Sequence, residues 1–182
     1  APTPRARCGA TVAREASATA HPVWTDITFE KNQTVALELG GAHKRYNAGL
    51  ARTFQLGSGP QKVYDTANAV TEGLESVLET IRPGVTAGDV HTAWQKVLNR
   101  YGLVKESRIG YGIGVGYSPD WGEHTISLRA NDLTVLEKNM TLHVMLGMWM
   151  DGWGIEFSET VAVTDSGVDC LTDFPRSVID VL

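Results

Sequence analysis

The chain has 182 residues, enough for one domain with a real core, and 42% of them are hydrophobic. Sixteen basic against 21 acidic residues leave a formal charge of −5, which excludes the basic face that a nucleic-acid binder needs. No run approaches the length that crosses a bilayer, so no membrane partner is expected.

The chain opens on APTPRARCGATVAREASATA, where one valine is the sole large aliphatic residue. Such a stretch cannot offset its ordering entropy by burial, so residues 1–20 are expected to be loop or disordered. It has no apolar segment of the kind a secretory signal carries, and the expected location is cytoplasmic. The cysteines, Cys8 and Cys170, lie far apart in no metal-binding cluster, and two separate thiols are expected rather than a disulfide.

From Thr34 to Leu39 the sequence alternates and turns apolar, which predicts a strand. Gly40 and Gly41 mark a turn or bulge, and Arg45 to Leu56 reads as a second strand antiparallel to the first. Val63, Ala67, Val70, Leu74, Val77, Leu78 and Ile81 then recur at helical spacing, so a helix is predicted over Gln61–Arg82, stopped by Pro83 and Gly84. Thr86 and Asp89 have the spacing of a capping box, ahead of the stripe Val90, Ala93, Trp94, Val97 and Leu98. Both stripes read as core. After Tyr101 and Gly102 strands are expected over Ile109–Gly116, Thr141–Met150 and Ile155–Thr164, with a turn at Asp165 to Gly167. This order predicts an α+β fold, with helices on one face of a curved antiparallel sheet.

The stretch from Arg108 to Thr160 holds the chemistry. It includes Gly110-Tyr111-Gly112-Ile113-Gly114, then Met140 to Gly147, then Glu159-Thr160-Val161. Together with Glu38-Leu39-Gly40, the strand Leu50 to Phe54 and Arg82 to Thr86, these motifs resemble the creatinase/aminopeptidase P/methionine aminopeptidase superfamily. The resemblance runs in the family's order from Val23 to Arg176. It implies the pita-bread fold, with residues 21–182 as a partial C-terminal catalytic domain. The family's preceding helices are not recognisable, so the resemblance implies a chain cut short at its N-terminus, weakly active or inactive alone.

Metallopeptidases of this superfamily hold two metals with two Asp, one His and two Glu, a set suited to divalent ions that activate a bridging water. Carried onto this chain, those positions fall on Glu38, Gly49, Tyr111, Met145 and Ser158. At most one ligand survives, so no metal and no other cofactor is expected. Ser107 to Tyr111, Tyr117 to His124 and Gly147 to Glu156 are similar to the ectoine hydrolases, a metal-independent branch of the superfamily. The resemblance implies opening of the cyclic amidine of ectoine, with hydroxyectoine as a second substrate, to N-acetyl-2,4-diaminobutyrate. Two alternatives stand beside it: an Xaa-Pro metallopeptidase, and a catalytically inactive binding module. A homodimer is implied for the full-length protein.

An amidinium ring with a carboxylate needs a carboxylate partner, a donor and flat walls. Glu38 suits direct attack on the amidine carbon or the activation of a water. Tyr111 suits proton or hydrogen-bond donation, and Glu156 a second carboxylate that holds the charged ring. Tyr117 and Trp121 suit stacking on a cation, and Glu123 a charge-assisted contact with the amidinium. His21 matches the family's substrate-binding histidine, and His124 is a further candidate. His143, a lone histidine on a strand, reads as a satisfied core or surface group.

Overall fold

A computed structural model describes residues 5–13, 28–117 and 120–181, the first of these spans as backbone. In chain order the elements are β1 (Arg5–Ala13), β2 (Gln33–His43), β3 (Tyr46–Leu56), α1 (Gln61–Thr80), α2 (Ala87–Arg100), β4 (Gly110–Ile113), β5 (Gly122–Ser127), β6 (Thr141–Met150), β7 (Trp153–Val163), β8 (Val168–Cys170) and β9 (Ile179–Val181). They form a four-stranded sheet in the order β1-β2-β3-β9 and a five-stranded sheet in the order β5-β4-β6-β7-β8.

Helix α1 buries the predicted stripe from Val63 to Leu78, and α2 buries Val90, Trp94, Val97 and Leu98. The capping box forms as read: the Asp89 N–H donates to the Thr86 hydroxyl at 3.1 Å, and the Thr86 N–H donates to the Asp89 carboxylate at 3.1 Å. Gly73 on α1 lets the helices close, because a Cβ there would overlap the Trp94 indole. Helix α1 packs on β6 and β7 of the five-stranded sheet and α2 packs against α1, and their stripes join Leu142, Val144, Leu146 and Met148 of β6 and Ile155, Phe157 and Val161 of β7 in one buried cluster. That continuous cluster is the core.

The four-stranded sheet lies on the other face. Side chains of β7 tie it there by hydrogen bonds to β3: Ala51 N–H to Ser158 Oγ at 2.6 Å, and Gly49 N–H to Thr160 Oγ1 at 2.9 Å. Thr53 Oγ1 accepts from the Glu156 N–H at 2.8 Å and donates to the Glu156 carbonyl at 3.1 Å. Strand alternation therefore turns Leu142, Val144, Leu146, Ile155, Phe157 and Val161 to the core and His143, Glu156, Ser158 and Thr160 to the opposite face. The polar set lies between the two sheets.

Three sequence expectations change. Residues 5–13 run as a strand along β2 rather than a loop, with Arg5 opposite Ala42 and Ala13 opposite Val35. A strand edge offers a row of backbone donors and acceptors whatever the side chains, and composition does not register that pull. Gly40 and Gly41 lie inside β2, and the hairpin turns instead at Lys44 and Arg45, with φ of +49° and +73°. Positive φ at both central residues is the geometry of a tight two-residue hairpin. The sheet is also not wholly antiparallel, since β9 joins β3 in parallel.

Candidate active site

The polar layer between the sheets contains Glu38 from β2, Tyr111 from β4, His143 from β6, and Glu156 and Ser158 from β7. Register brings them together. Tyr111 pairs with His143, Met145 with Ser158 and Gly147 with Glu156, while Glu38 lies opposite Ala51, whose N–H reaches Ser158. The charge of Glu38 acts on both Tyr111 and Glu156, so the three residues expected to carry the chemistry share one electrostatic environment.

Burial sets the protonation states. Glu156 is pushed up to about 8, first by desolvation, then by the charge of Glu38, with Lys105 pulling the other way. Lys105 is held down to about 8 by burial, against the pull of Glu156. Its ammonium lies 5.6 Å from the centre of the Trp149 ring. Desolvation raises Tyr111 to about 12; the hydrogen bond from Trp121 opposes that rise and the charge of Glu38 adds to it. His143, fully buried, is driven down to about 4 by desolvation.

Tyr111 is the centre of a hydrogen-bonded chain. Trp121 Nε1–H donates to its oxygen at 2.8 Å, His143 Nδ1 lies 2.9 Å from the same oxygen, and His143 Nε2 lies 2.8 Å from Ser158 Oγ. The Tyr111 and His143 rings meet edge to face at 5.3 Å, and the Arg108 guanidinium stands 4.7 Å above the Tyr111 ring. Two glycines make room. A Cβ at Gly40 would overlap the Trp121 ring, and a Cβ at Gly49 would lie 2.8 Å from His143 Cε1 and 2.9 Å from Nε2. The apparent turn at Gly40 is thus a close approach between backbone and indole.

The remaining expected residues divide. Trp121 joins the cluster through Tyr111. Glu123 is half-buried and accepts from the Val115 N–H at 3.1 Å, bracing the loop after β4. Tyr117 is 71% exposed and takes a hydrogen bond from Arg45 at 2.6 Å. The His124 side chain is 85% exposed and pairs with Asp120 at 3.0 Å. Among the described residues, the partners of Tyr117 and His124 lie outside the cluster. His21 lies outside the described residues.

Sequence reasoning missed Lys105 and His143. Lys105 stands in a loop with no pattern to mark it. His143 did carry a signal: Leu142, Val144 and Leu146 claim the core face, so an alternating strand turns His143 to the opposite one.

The residues do not fit a dinuclear metal centre. Gly49 offers no ligand, and the His143 ring occupies the space a side chain there would need. The Tyr111 and Ser158 oxygens are committed to His143, and Met145 offers a thioether to ions that take oxygen and imidazole. Among the described residues no group of three or more His, Cys, Asp or Glu is arranged to hold a metal ion.

The sequence pattern of metallopeptidase family M24 matches residues 8–165. An uncharacterized hydrolase/peptidase of Sinorhizobium fredii is 41% identical over 87% of the chain. The ectoine hydrolase of Halomonas elongata is 40% identical over 89% of it. The chain spans about 41% of the length of each of these two relatives. Among solved structures, dipeptidase PepE from Mycobacterium ulcerans superposes with a TM-score of 0.87 at 23% identity, over 95% of this chain and 47% of that one. That likeness is one of fold.

Proposed function

The chain belongs to metallopeptidase family M24, and from that premise we propose that it carries the site of a hydrolase that opens the cyclic amidine of ectoine without a metal. The product is N-acetyl-2,4-diaminobutyrate, and hydroxyectoine is a second substrate. The observation that carries this reading is the shared environment of Glu38, Tyr111 and Glu156, at or beside positions where a dinuclear ligand set would stand and most of its ligands are missing. The 40% identity to an ectoine hydrolase supports it.

In this mechanism the amidinium lies beside Glu38 and Glu156. With no other cation bound, burial and Glu38 keep a proton on Glu156 up to about pH 8. An arriving amidinium supplies the missing counter-charge and favours release of that proton. Glu38 attacks the amidine carbon, forming a C–O bond. The ring C–N bond breaks, and its electron pair takes a proton from Tyr111. Water then attacks the covalent intermediate at its former amidine carbon, freeing the Glu38 carboxylate; one of its protons returns to Tyr111 and the second ends on the released amine. Net consumption is one water per ring opened. A peptidase reading would need a water activated by two metals, and the residues at those positions do not provide for one.

Ring opening compared between full-length wild type and Glu38→Gln tests the reading. The expected loss in kcat is on the order of 10²-fold or more, and wild type quenched during turnover should carry the mass of an acyl adduct on the peptide that contains Glu38. Equal rates would remove Glu38 from the mechanism. The whole protein is expected to be cytoplasmic and a homodimer.

A further inference from the structure

Ser158 decides where the proton of His143 sits. Ser158 is fully buried, and its Oγ accepts from the Ala51 N–H at 2.6 Å. A hydroxyl also has one hydrogen to give. Among the described residues the other neighbour of Ser158 Oγ is His143 Nε2, at 2.8 Å. A hydrogen on Nε2 would make Ser158 accept twice and strand its own hydrogen in the interior, a cost of about 1–3 kcal/mol. A hydrogen on Nδ1 instead lets Ser158 donate to Nε2 and satisfies every atom. Burial holds His143 down to about 4, so at neutral pH the ring is neutral and carries one such hydrogen.

The consequence falls on Tyr111. His143 Nδ1–H then donates to the phenol oxygen at 2.9 Å, beside the Trp121 Nε1–H at 2.8 Å. An oxygen that accepts two hydrogen bonds from protein directs its own hydrogen away from both donors. We infer that His143 is a positioning residue, fixed as the Nδ1–H tautomer by Ser158 and the Ala51 backbone, which with Trp121 forms a two-donor cradle that aims the Tyr111 proton at substrate. When the Tyr111 O–H bond breaks and the N–H bond of the departing nitrogen forms, the electron pair left on oxygen meets both donors. Such donors act most strongly on charge that develops during the reaction. His143 fits this place because Gly49 has no side chain. The last step rests on the amidine-hydrolase reading; the tautomer and the cradle do not.

Two measurements on the purified protein separate the two. Long-range proton–nitrogen NMR of ¹⁵N-histidine-labelled protein at neutral pH reads the tautomer, with the His143 signal assigned by its absence in His143→Gln. The expected result is a protonated Nδ1 and a bare Nε2, with that preference lost in Ser158→Ala. A wild-type hydrogen on Nε2 overturns the inference. In ectoine turnover His143→Asn, whose amide nitrogen can take the place of Nδ1, is expected to keep most of kcat. His143→Gln, whose amide reaches the place of Nε2, should lose roughly 10²-fold in kcat at unchanged KM. In a Tyr111→Phe background the two variants should become equal. Equal losses with Tyr111 present would overturn the positioning role. A full-length wild type with the expected tautomer that opens no ectoine would sink the substrate reading and leave the cradle standing.

Discussion

Glu156 ties protonation to stability. Below its ordinary value of 4.5 the carboxyl is protonated in folded and unfolded chains alike, and between 4.5 and about 8 the unfolded chain ionises while the folded one does not. The unfolded state binds fewer protons in that window, so each rise in pH favours unfolding through this residue. Above about 8 both states are ionised and the penalty is complete. Melting temperatures should therefore show Glu156→Gln gaining on wild type as pH rises from 4.5 to about 8. A gap independent of pH would mean that Glu156 is not held protonated. The same residue predicts that KM for ectoine falls as pH approaches about 8 and that Glu156→Gln flattens the trend. Glu38, Tyr111 and Glu156 drew attention in the sequence because they stand at or beside positions whose spacing is a family pattern. Lys105 did not, because it stands in a loop with no pattern to mark it, and His143 carried only the signal of alternation along β6, since its partners lie on strands distant in sequence. Tyr117 and His124 drew attention through residue type in a motif, and the structure exposes both, with Tyr117 bonded to Arg45 and His124 to nearby Asp120.

At the scale of elements, β3 and β7 are clamped by more than the hydroxyls of Thr53, Ser158 and Thr160. Arg52, 2% exposed, donates to Glu159 at 2.6 Å, to the Ser158 carbonyl at 2.6 Å and to the carbonyls of Phe174 and Pro175 at 2.7 and 2.8 Å. Glu159 also takes Arg176 at 3.0 Å and the Thr172 hydroxyl. Arg52→Met leaves a buried carboxylate with half its cationic partnership, and the expected loss is about 3 kcal/mol in denaturant unfolding. A loss near zero would show that Arg176 alone suffices. The helices and the long strands were legible because each repeats its own period: Val63 to Ile81 at helical spacing, and Leu142 to Met148 in alternation. Strands β1, β5, β8 and β9 were not. Their pairing comes from the backbone of a neighbour, and β8 and β9 are too short for a period to appear.

Across the whole molecule, the helices serve as a platform and the first sheet as a cover, with the polar layer held between. Among the described residues no helix is long and apolar enough to cross a membrane. The fold is shared with a dipeptidase at 23% identity, and a shared fold does not by itself fix the chemistry of the site. Gly49 leaves room for the His143 ring, and in the proposed reading His143 braces Tyr111 while a donor–carboxylate pair suited to an amidinium stands in place of a ligand cage. The most direct test is the rate of ectoine ring opening by the full-length protein before and after exhaustive chelation, with the metal content measured on the same samples. The account predicts release of N-acetyl-2,4-diaminobutyrate at an unchanged rate. Activity lost on chelation and restored by two divalent ions per chain would contradict it.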